Sequence, residues 1–428
     1  MKFKLKEGLL LGVATSATQI EGGERNNNWY RFSEQGGIKD GSSCVRACDH
    51  FNRWREDIDL MADMGIQIYR FGIEWSRIEP ERGVFSEEAL GVYREMLEHM
   101  LSKGIKPLLT LHHFTNPLWF EDMGGFTHPD SPDIFMEYVR RAVGAYADLV
   151  SDYITINEPN IYCTNSLFYG IWPAKEKSLG ALIKGYSNMT ACHIRAYRFI
   201  HEHRRSLGYS DTKVSFANHL RVFEAKHKWN PINRIFARLT SYLFQGALTR
   251  SMMRGRCAFP VRRYRGVRRG RYYDFIGVNY YSRSTVTGIA DGVRENCPKN
   301  DLDWEIYHEG LIRIANKLGK KYKAPVFVTE NGTCDNTDAF RPLFIYDQLK
   351  LISETKNPIT RYYHWSFIDN FEWLEGESAR FGIVHVDYET QERTVKPSGK
   401  LYSDIIKTGG VSDAAYEEYV GGLEYNIR

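Results

Sequence analysis

The sequence predicts an α/β protein built as a single (β/α)8 barrel (a TIM barrel) over residues 1–428, with the active site at the C-terminal ends of the strands. Three observations predict it. Short β-branched or aromatic runs recur eight times, helix-spaced segments lie between them, and no Gly/Ser-rich or Pro-rich linker divides the chain. An open, doubly wound sheet would call for a Gly-rich phosphate turn after the first strand, and neither GxGxxG nor GxxxxGK occurs there.

In order, the runs are 8–14 (GLLLGVA), 66–73 (IQIYRFGI), 107–111 (PLLTL), 153–157 (YITIN), 213–217 (KVSFA), 274–279 (DFIGVN), 325–329 (PVFVT) and 361–367 (RYYHWSF). Each is short, apolar on most positions and bounded by polar or turn residues, as strands buried on both faces are. Between the second and third, Ser86 followed by Glu87 and Glu88 reads as an N-cap with first-turn acids, opening a helix over 86–103 that stops at Gly104. Pro132 opens another over 132–151, with Ile134, Phe135, Tyr138, Val139, Val143, Tyr146 and Leu149 on a broad apolar stripe.

Composition excludes several classes. Net charge is only +4 from 57 basic and 53 acidic residues, so no global attraction to nucleic acid is expected. Seven cysteines, odd in number and scattered, argue against a disulfide framework and for a reducing, cytoplasmic setting. Cys44 and Cys48 lack a second pair, so no metal is expected, and no motif calls for a cofactor. No stretch approaches about 18 uncharged apolar residues, so no membrane partner is expected either. The oligomeric state is left open.

Two of the strands end on an acid. VFVTENGT at 326–333 delivers Glu330, and YITINEPN at 153–160 delivers Glu158 with Asn157 before it and Pro159 after it. In a barrel both would converge on one mouth. Other polar groups follow strands at the same end: Gln19 and Glu21 after the first, Arg70 in the second, His112 and His113 after the third, Asn279 and Tyr281 after the sixth, and Trp365, Glu372 and Trp373 at and after the eighth. Adjacent residues face opposite ways, so only one of His112 and His113 should face the cavity. Two carboxyls in an aromatic mouth suggest glycoside hydrolysis, one protonated to donate to the leaving oxygen and one ionised, with Arg70 placed to hold down the pKa of the ionised member. Spacing alone does not assign the two roles.

The chain resembles the family 1 glycoside hydrolases over nearly its full length, through GVATSATQIEG (12–22), YRFGIEWSRIEP (69–80), TLHHF (110–114), TINEPN (155–160), DFIGVNYYS (274–282), VTENG (328–332) and HWSFIDNFEWLEGESARFG (364–382). The resemblance implies a retaining mechanism with Glu158 as acid/base and Glu330 as nucleophile. It implies that Gln19, His113, Asn157, Glu372 and Trp373 bind sugar hydroxyls, that Trp365 floors the ring, and that Arg70 and Tyr281 contact the nucleophile with Asn279 beside them. The expected substrate is a small β-glycoside or oligosaccharide, cleaved at its terminal non-reducing β-glucosyl residue, with β-galactosyl or β-fucosyl residues also admitted. FEWLEG retains Glu372, which would repel a phosphate, so a 6-phospho-β-glycosidase is the weaker alternative, beside a catalytically silent sugar-binding barrel. Transglycosylation would use the same residues. The Asn-Gly pair after Glu330 reads as a turn that carries the chain away from the site.

Four stretches depart from the family pattern: FTNP at 114–117, His364 where an aromatic is usual, a short segment between Glu330 and Trp365, and VRRYRGVRRGR at 261–271 with six arginines. The last reads as a solvated or acid-paired surface segment, with a nucleic-acid patch as the competing reading. Sequons at Asn188 and Asn331 carry no weight, since a glycan on Asn331 would block the site.

Overall fold

The computed structural model describes residues 2–427. Eight parallel strands close a barrel in chain order: β1 Leu10–Ala14, β2 Ile68–Gly72, β3 Lys106–Thr110, β4 Asp152–Asn157, β5 Lys213–His219, β6 Ile276–Asn279, β7 Val326–Asn331 and β8 Ile359–Trp365, which returns to β1. All eight runs read from the sequence become these strands, with ends displaced by no more than two residues. Local chemistry sets the helix starts as well. The Ser86 hydroxyl accepts the Ala89 N–H at 3.1 Å at the head of Glu87–Ser102, and Pro132 occupies the first turn of Ser131–Tyr146, where no N–H is required.

Strand alternation sorts side chains between two cores. In β2, Tyr69 and Phe71 join the shell between barrel and helices, whereas Ile68 joins the barrel interior with Ala14, Leu108, Ile154 and Phe327. Phe275 stacks on Phe327 at 4.2 Å, and the buried ion pair Arg361–Asp152 at 2.6 Å spans the interior. The barrel is therefore filled below its mouth. A Cβ on Gly12 would lie 1.7 Å from the Ile68 carbonyl oxygen, so only glycine lets β1 approach β2 this closely.

The remaining length lies in small additions. Phe3–Lys4 pairs with Gly410–Val411, and Val384–Val386 pairs with Arg393–Val395. A three-stranded sheet of Val222–Ala225, Arg283–Thr287 and Ala290–Gly292 stands beyond the ends of β5 and β6. The short segment after Glu330 is stapled by Asp335, whose carboxylate accepts the N–H groups of Thr337, Ala339, Phe340 and Arg341 before the helix Arg341–Glu354. Residues 261–271 form an irregular loop anchored by buried Val267 and by Tyr264 donating to the Pro129 carbonyl. Its arginines pair with no carboxylate among the described residues, which leaves the solvated version of the surface reading. Both sequon asparagines are buried structural clamps: Asn188 donates to the Phe126 and His128 carbonyls, and Asn331 to the Tyr280 carbonyl.

His364 faces the shell, fully buried against Tyr402, and neither ring nitrogen has a hydrogen-bond partner among the described residues. Burial pushes its pKa down to about 3, so the ring is neutral in the folded chain and charges on unfolding below its ordinary value. The unfolded state then binds more protons between about pH 3 and 6.5, and stability falls as pH falls through that window. His364→Phe removes this contribution. The gap in unfolding midpoint between the variant and the parent chain should widen in the variant's favour from pH 7 to pH 5, and a gap independent of pH would contradict a neutral buried imidazole.

Candidate active site

Both strand-terminal glutamates reach the barrel mouth by breaking strand geometry. In β7, Val328 faces the shell and Thr329 the interior, so strict alternation would send Glu330 outward. A register shift between Val328 and Glu330 relative to β6, matched by one between Val328 and Asn331 relative to β8, turns Glu330 inward instead. In β4 a register shift lies between Ile154 and Asn157. The backbone then turns left-handed at Glu158, φ 41°, a conformation that costs a non-glycine residue about 1–3 kcal/mol. Surrounding contacts hold that strain in place.

Arg70 is the hub of the site. Its guanidinium, wholly buried, donates to Thr110 Oγ1 (3.1 Å), the Thr329 carbonyl (3.2 Å), Asn157 Oδ1 (2.7 Å) and Glu330 Oε1. Tyr281 donates its hydroxyl to the other Glu330 oxygen at 2.7 Å. Asn279 Nδ2 bridges Asn157 Oδ1 (3.0 Å) and Glu158 Oε1 (2.8 Å), while Thr329 donates to Asn279 Oδ1 (2.6 Å). One continuous network thus joins the two acids. Because Asn157 Oδ1 already accepts two donors, its amide nitrogen faces His113 Nε2 at 2.9 Å. The neutral His113 ring then carries its proton on Nδ1, which has no partner among the described residues.

His113 lines the cavity, and His112 does not share its environment: its Nε2 contacts Asn116 among buried aromatic rings. Gln19 takes Ser16 as a donor and donates to the Phe371 carbonyl (2.9 Å), Asn370 (3.0 Å) and Glu372 (3.2 Å). Trp365 stacks beside His113 at 5.8 Å and donates to Glu372, and Trp373 stacks on the same ring at 5.8 Å. Every residue given a role in the site by the family resemblance, Arg70 and Asn279 included, therefore lies in this one mouth or in its network. Glu21 belongs elsewhere. It is tied to Arg77 (3.1 Å) and Tyr93 (2.8 Å) behind the mouth.

Burial dominates the electrostatics. It pushes Glu330 up to about 7 against the opposing pull of Arg70, with repulsion from Glu158 adding to the rise and the Tyr281 hydroxyl opposing it. Burial and repulsion from Glu330 push Glu372 up to about 8. The arginine does lower Glu330, as the sequence implied, but burial outweighs it.

Sequence reasoning missed several lining groups. The cavity, about 150 Å³, is also walled by Phe114, Asn165, Trp172, His219, Arg221, Trp304 and Phe381. Most come from loops, where no periodicity marks them. His219 ends β5, and Arg221 Nε donates to its Nε2 at 2.9 Å, so the neutral ring carries its proton on Nδ1 and donates it to Glu158 Oε1 at 3.2 Å. FTNP is part of the wall: Phe114, at φ 69°, packs on Trp172 (4.9 Å) and Trp373 (5.2 Å). The Asn-Gly pair is not a turn. Asn331 still belongs to β7, held by the Tyr362 hydroxyl at 2.9 Å, and a Cβ on Gly332 would lie 1.8 Å from the Trp365 carbonyl oxygen.

A barrel mouth with linked buried carboxyls, amide donors and aromatic walls defines an enzyme acting on carbohydrate. The family model for glycosyl hydrolase family 1 matches residues 1–411. The chain is 32% identical to β-glucosidase A of Thermotoga maritima, with 96% of this chain and 99% of that protein aligned. It is 30% identical to a 1,4-β-D-glucan glucohydrolase of Thermotoga neapolitana, over 96% and 100% respectively. The solved structure of a β-glycosidase from Pyrococcus horikoshii superposes with a TM-score of 0.88 at 32% identity, covering 99% of each chain. The chain belongs to glycosyl hydrolase family 1.

Tyr281→Phe removes a donor that favours the ionised form of Glu330, so its carboxyl should titrate higher. The acid limb of the pH–activity profile should move up by about 0.5–1 unit. A limb that stays put would show that this hydroxyl does not govern the titration.

Proposed function

We propose that the chain is a retaining, exo-acting β-glucosidase that also admits β-galactosides and β-fucosides, with Glu330 as nucleophile and Glu158 as acid/base. The observation that carries the assignment is the unequal environment of the two acids. Glu330 has both oxygens engaged, one by the Arg70 cation and one by Tyr281, which favours the carboxylate. Among the described residues Glu158 has only Oε1 engaged, by Asn279 and His219, which leaves Oε2 to carry a proton toward a leaving oxygen. The names of the relatives support glucose as the sugar.

In the first step a Glu330 oxygen bonds to the anomeric carbon, the glycosidic C–O bond breaks with its electron pair on the departing oxygen, and Glu158 protonates that oxygen. In the second, Glu158 takes a proton from water as the water oxygen bonds to the anomeric carbon and the ester to Glu330 breaks. Neutralising Glu330 as the ester removes the repulsion between the two acids before water enters. Gln19, His113, Asn157, Glu372 and Trp373 bind hydroxyls over the Trp365 floor. The unpartnered His113 Nδ1–H suits a hydroxyl acceptor, and Glu372 disfavours a phosphorylated sugar. A small cavity with a filled barrel beneath it suits removal of one terminal unit. The whole chain acts as one catalytic unit, and its seven free cysteines support a reducing, cytoplasmic setting.

Incubation with an activated 2-deoxy-2-fluoro-β-glucoside, followed by intact-mass and peptide mapping, should give one adduct per chain on Glu330. An adduct elsewhere, or none together with no hydrolysis of aryl β-glycosides, would sink the assignment and favour a silent sugar binder. Glu158→Gln should slow release of poor leaving groups at least about a hundredfold and activated ones far less. Equal losses on both would remove Glu158 from the acid role.

A further inference from the structure

The chain is nearly neutral as a whole, but its charge is segregated. Residues 225–273 hold 13 of the 57 basic residues and none of the 53 acidic ones, so the rest of the chain, with 44 basic and 53 acidic residues, is net negative. This acid-free stretch contains the helix Pro231–Ser241, which packs on the small sheet beside the mouth.

That helix is amphipathic the wrong way round. Asn233 and Ala237 are its buried positions, and Ile232, Ile235, Leu239 and Tyr242 lie on the opposite side at about 100° per residue. Ile232 is 58% and Ile235 61% exposed, and Trp229, just before the helix, is 80% exposed. A second element adds to the same patch. The Gly288 N–H donates to Asn233 Oδ1 at 3.1 Å, which fixes the neighbouring hairpin tip against the helix and presents Ile289, 90% exposed. Arg234 and Arg238 flank the stripe, and neither pairs with a carboxylate among the described residues. The nearby carboxylates Glu224 and Glu295 are already engaged by Arg313, Arg294 and Lys226, and Asp291, exposed on the same hairpin as Ile289, is the one acid at the edge of the patch outside an ion pair among the described residues. Beside the helix run, a cavity of about 250 Å³ opens under Arg313, Lys317 and Lys321.

We propose that this face docks on an anionic lipid surface, with Trp229, Ile232, Ile235 and Ile289 entering the headgroup boundary and the arginines meeting lipid phosphates. Apolar burial and charge attraction together give stable interfacial binding where either alone is marginal. A second copy of the chain fits less well, because a two-fold contact through this stripe would set Arg234 and Arg238 against their own counterparts. Three of the four most exposed tips, Ile232, Ile235 and Ile289, are aliphatic and give no platform for stacking successive bases, which disfavours nucleic acid. Among the described residues no helix is long and apolar enough to cross a membrane, so the contact is peripheral. This departs from the expectation of no membrane partner, which considered only spanning segments. The face also reaches the catalytic mouth: Gln245, at the end of the same helical run, accepts the Arg221 N–H at 2.9 Å and donates to the Arg221 carbonyl at 3.0 Å.

Co-sedimentation of the full chain with vesicles tests the proposal, comparing phosphatidylcholine alone with phosphatidylcholine containing one-third phosphatidylglycerol. The chain should sediment with the anionic vesicles, be released by high salt, and show a blue shift of tryptophan emission that Trp229→Ser abolishes. I232S/I235S and R234E/R238E should each lower the partition coefficient on the order of tenfold, with hydrolysis of a soluble aryl glycoside unchanged. No binding to anionic vesicles, equal binding to neutral ones, or binding unaffected by either double variant would overturn it. So would a dimer in analytical ultracentrifugation that I232S/I235S dissolves, since a second copy would then own the face.

Discussion

The buried ion pair between Arg70 and Glu330 is the constraint on which the site depends. Placing a guanidinium inside a barrel is costly unless every donor finds an acceptor, and removing one partner of such a pair costs about 3–5 kcal/mol. Arg70 meets that demand with groups from the adjacent β3 and from β4 and β7, and it is barrel closure that brings the distant β7 within its reach. The cation therefore fixes more than one carboxylate. Through Asn157 and Asn279 it sets the orientation of His113 and the position of Glu158, so the mouth is assembled as one hydrogen-bonded body.

Crowding also shapes the acids of that body: burial pushes Glu330 and Glu372 above the ordinary carboxylate range, against the donors that hold them. Burial alone would raise both, and their mutual repulsion raises Glu372 further. A sugar hydroxyl that donates to Glu372 would favour its ionised form, which links sugar binding to proton release from the mouth.

Much of this architecture was legible in the sequence because its signals are local. The eight strands announce themselves by composition, Ser86 and Pro132 by helix-end chemistry, and Glu158 and Glu330 by their places at strand ends. What stayed hidden depends on contacts between distant segments. The shift that turns Glu330 inward is a relation between β7 and its neighbours, and the left-handed backbone at Glu158 is sustained by surroundings the local sequence does not contain. Asn331–Gly332 has the composition of a turn, and only the nearness of Trp365 explains why it is none. His219 and Arg221 were missed because a histidine at the end of a strand carries no mark of what faces it. The arginine-rich loop drew attention by its density, whereas the exposed apolar stripe of Pro231–Ser241 carries no mark in the sequence, because which side of a helix is buried is set by what it packs against.

Gly332 lies where the carbonyl of Trp365 leaves no room for a methyl group. With Trp365 as the proposed floor of the sugar site, two parts that look separable, the strand carrying Glu330 and that floor, are therefore mechanically one. A substitution that shifts the floor to admit a different ring must shift the backbone just past Glu330 with it. Changes of sugar preference have more latitude at the rim, where Phe114, Trp172 and Trp304 sit on loops, than at the floor, where reshaping the pocket and misaligning the carboxylate are the same movement.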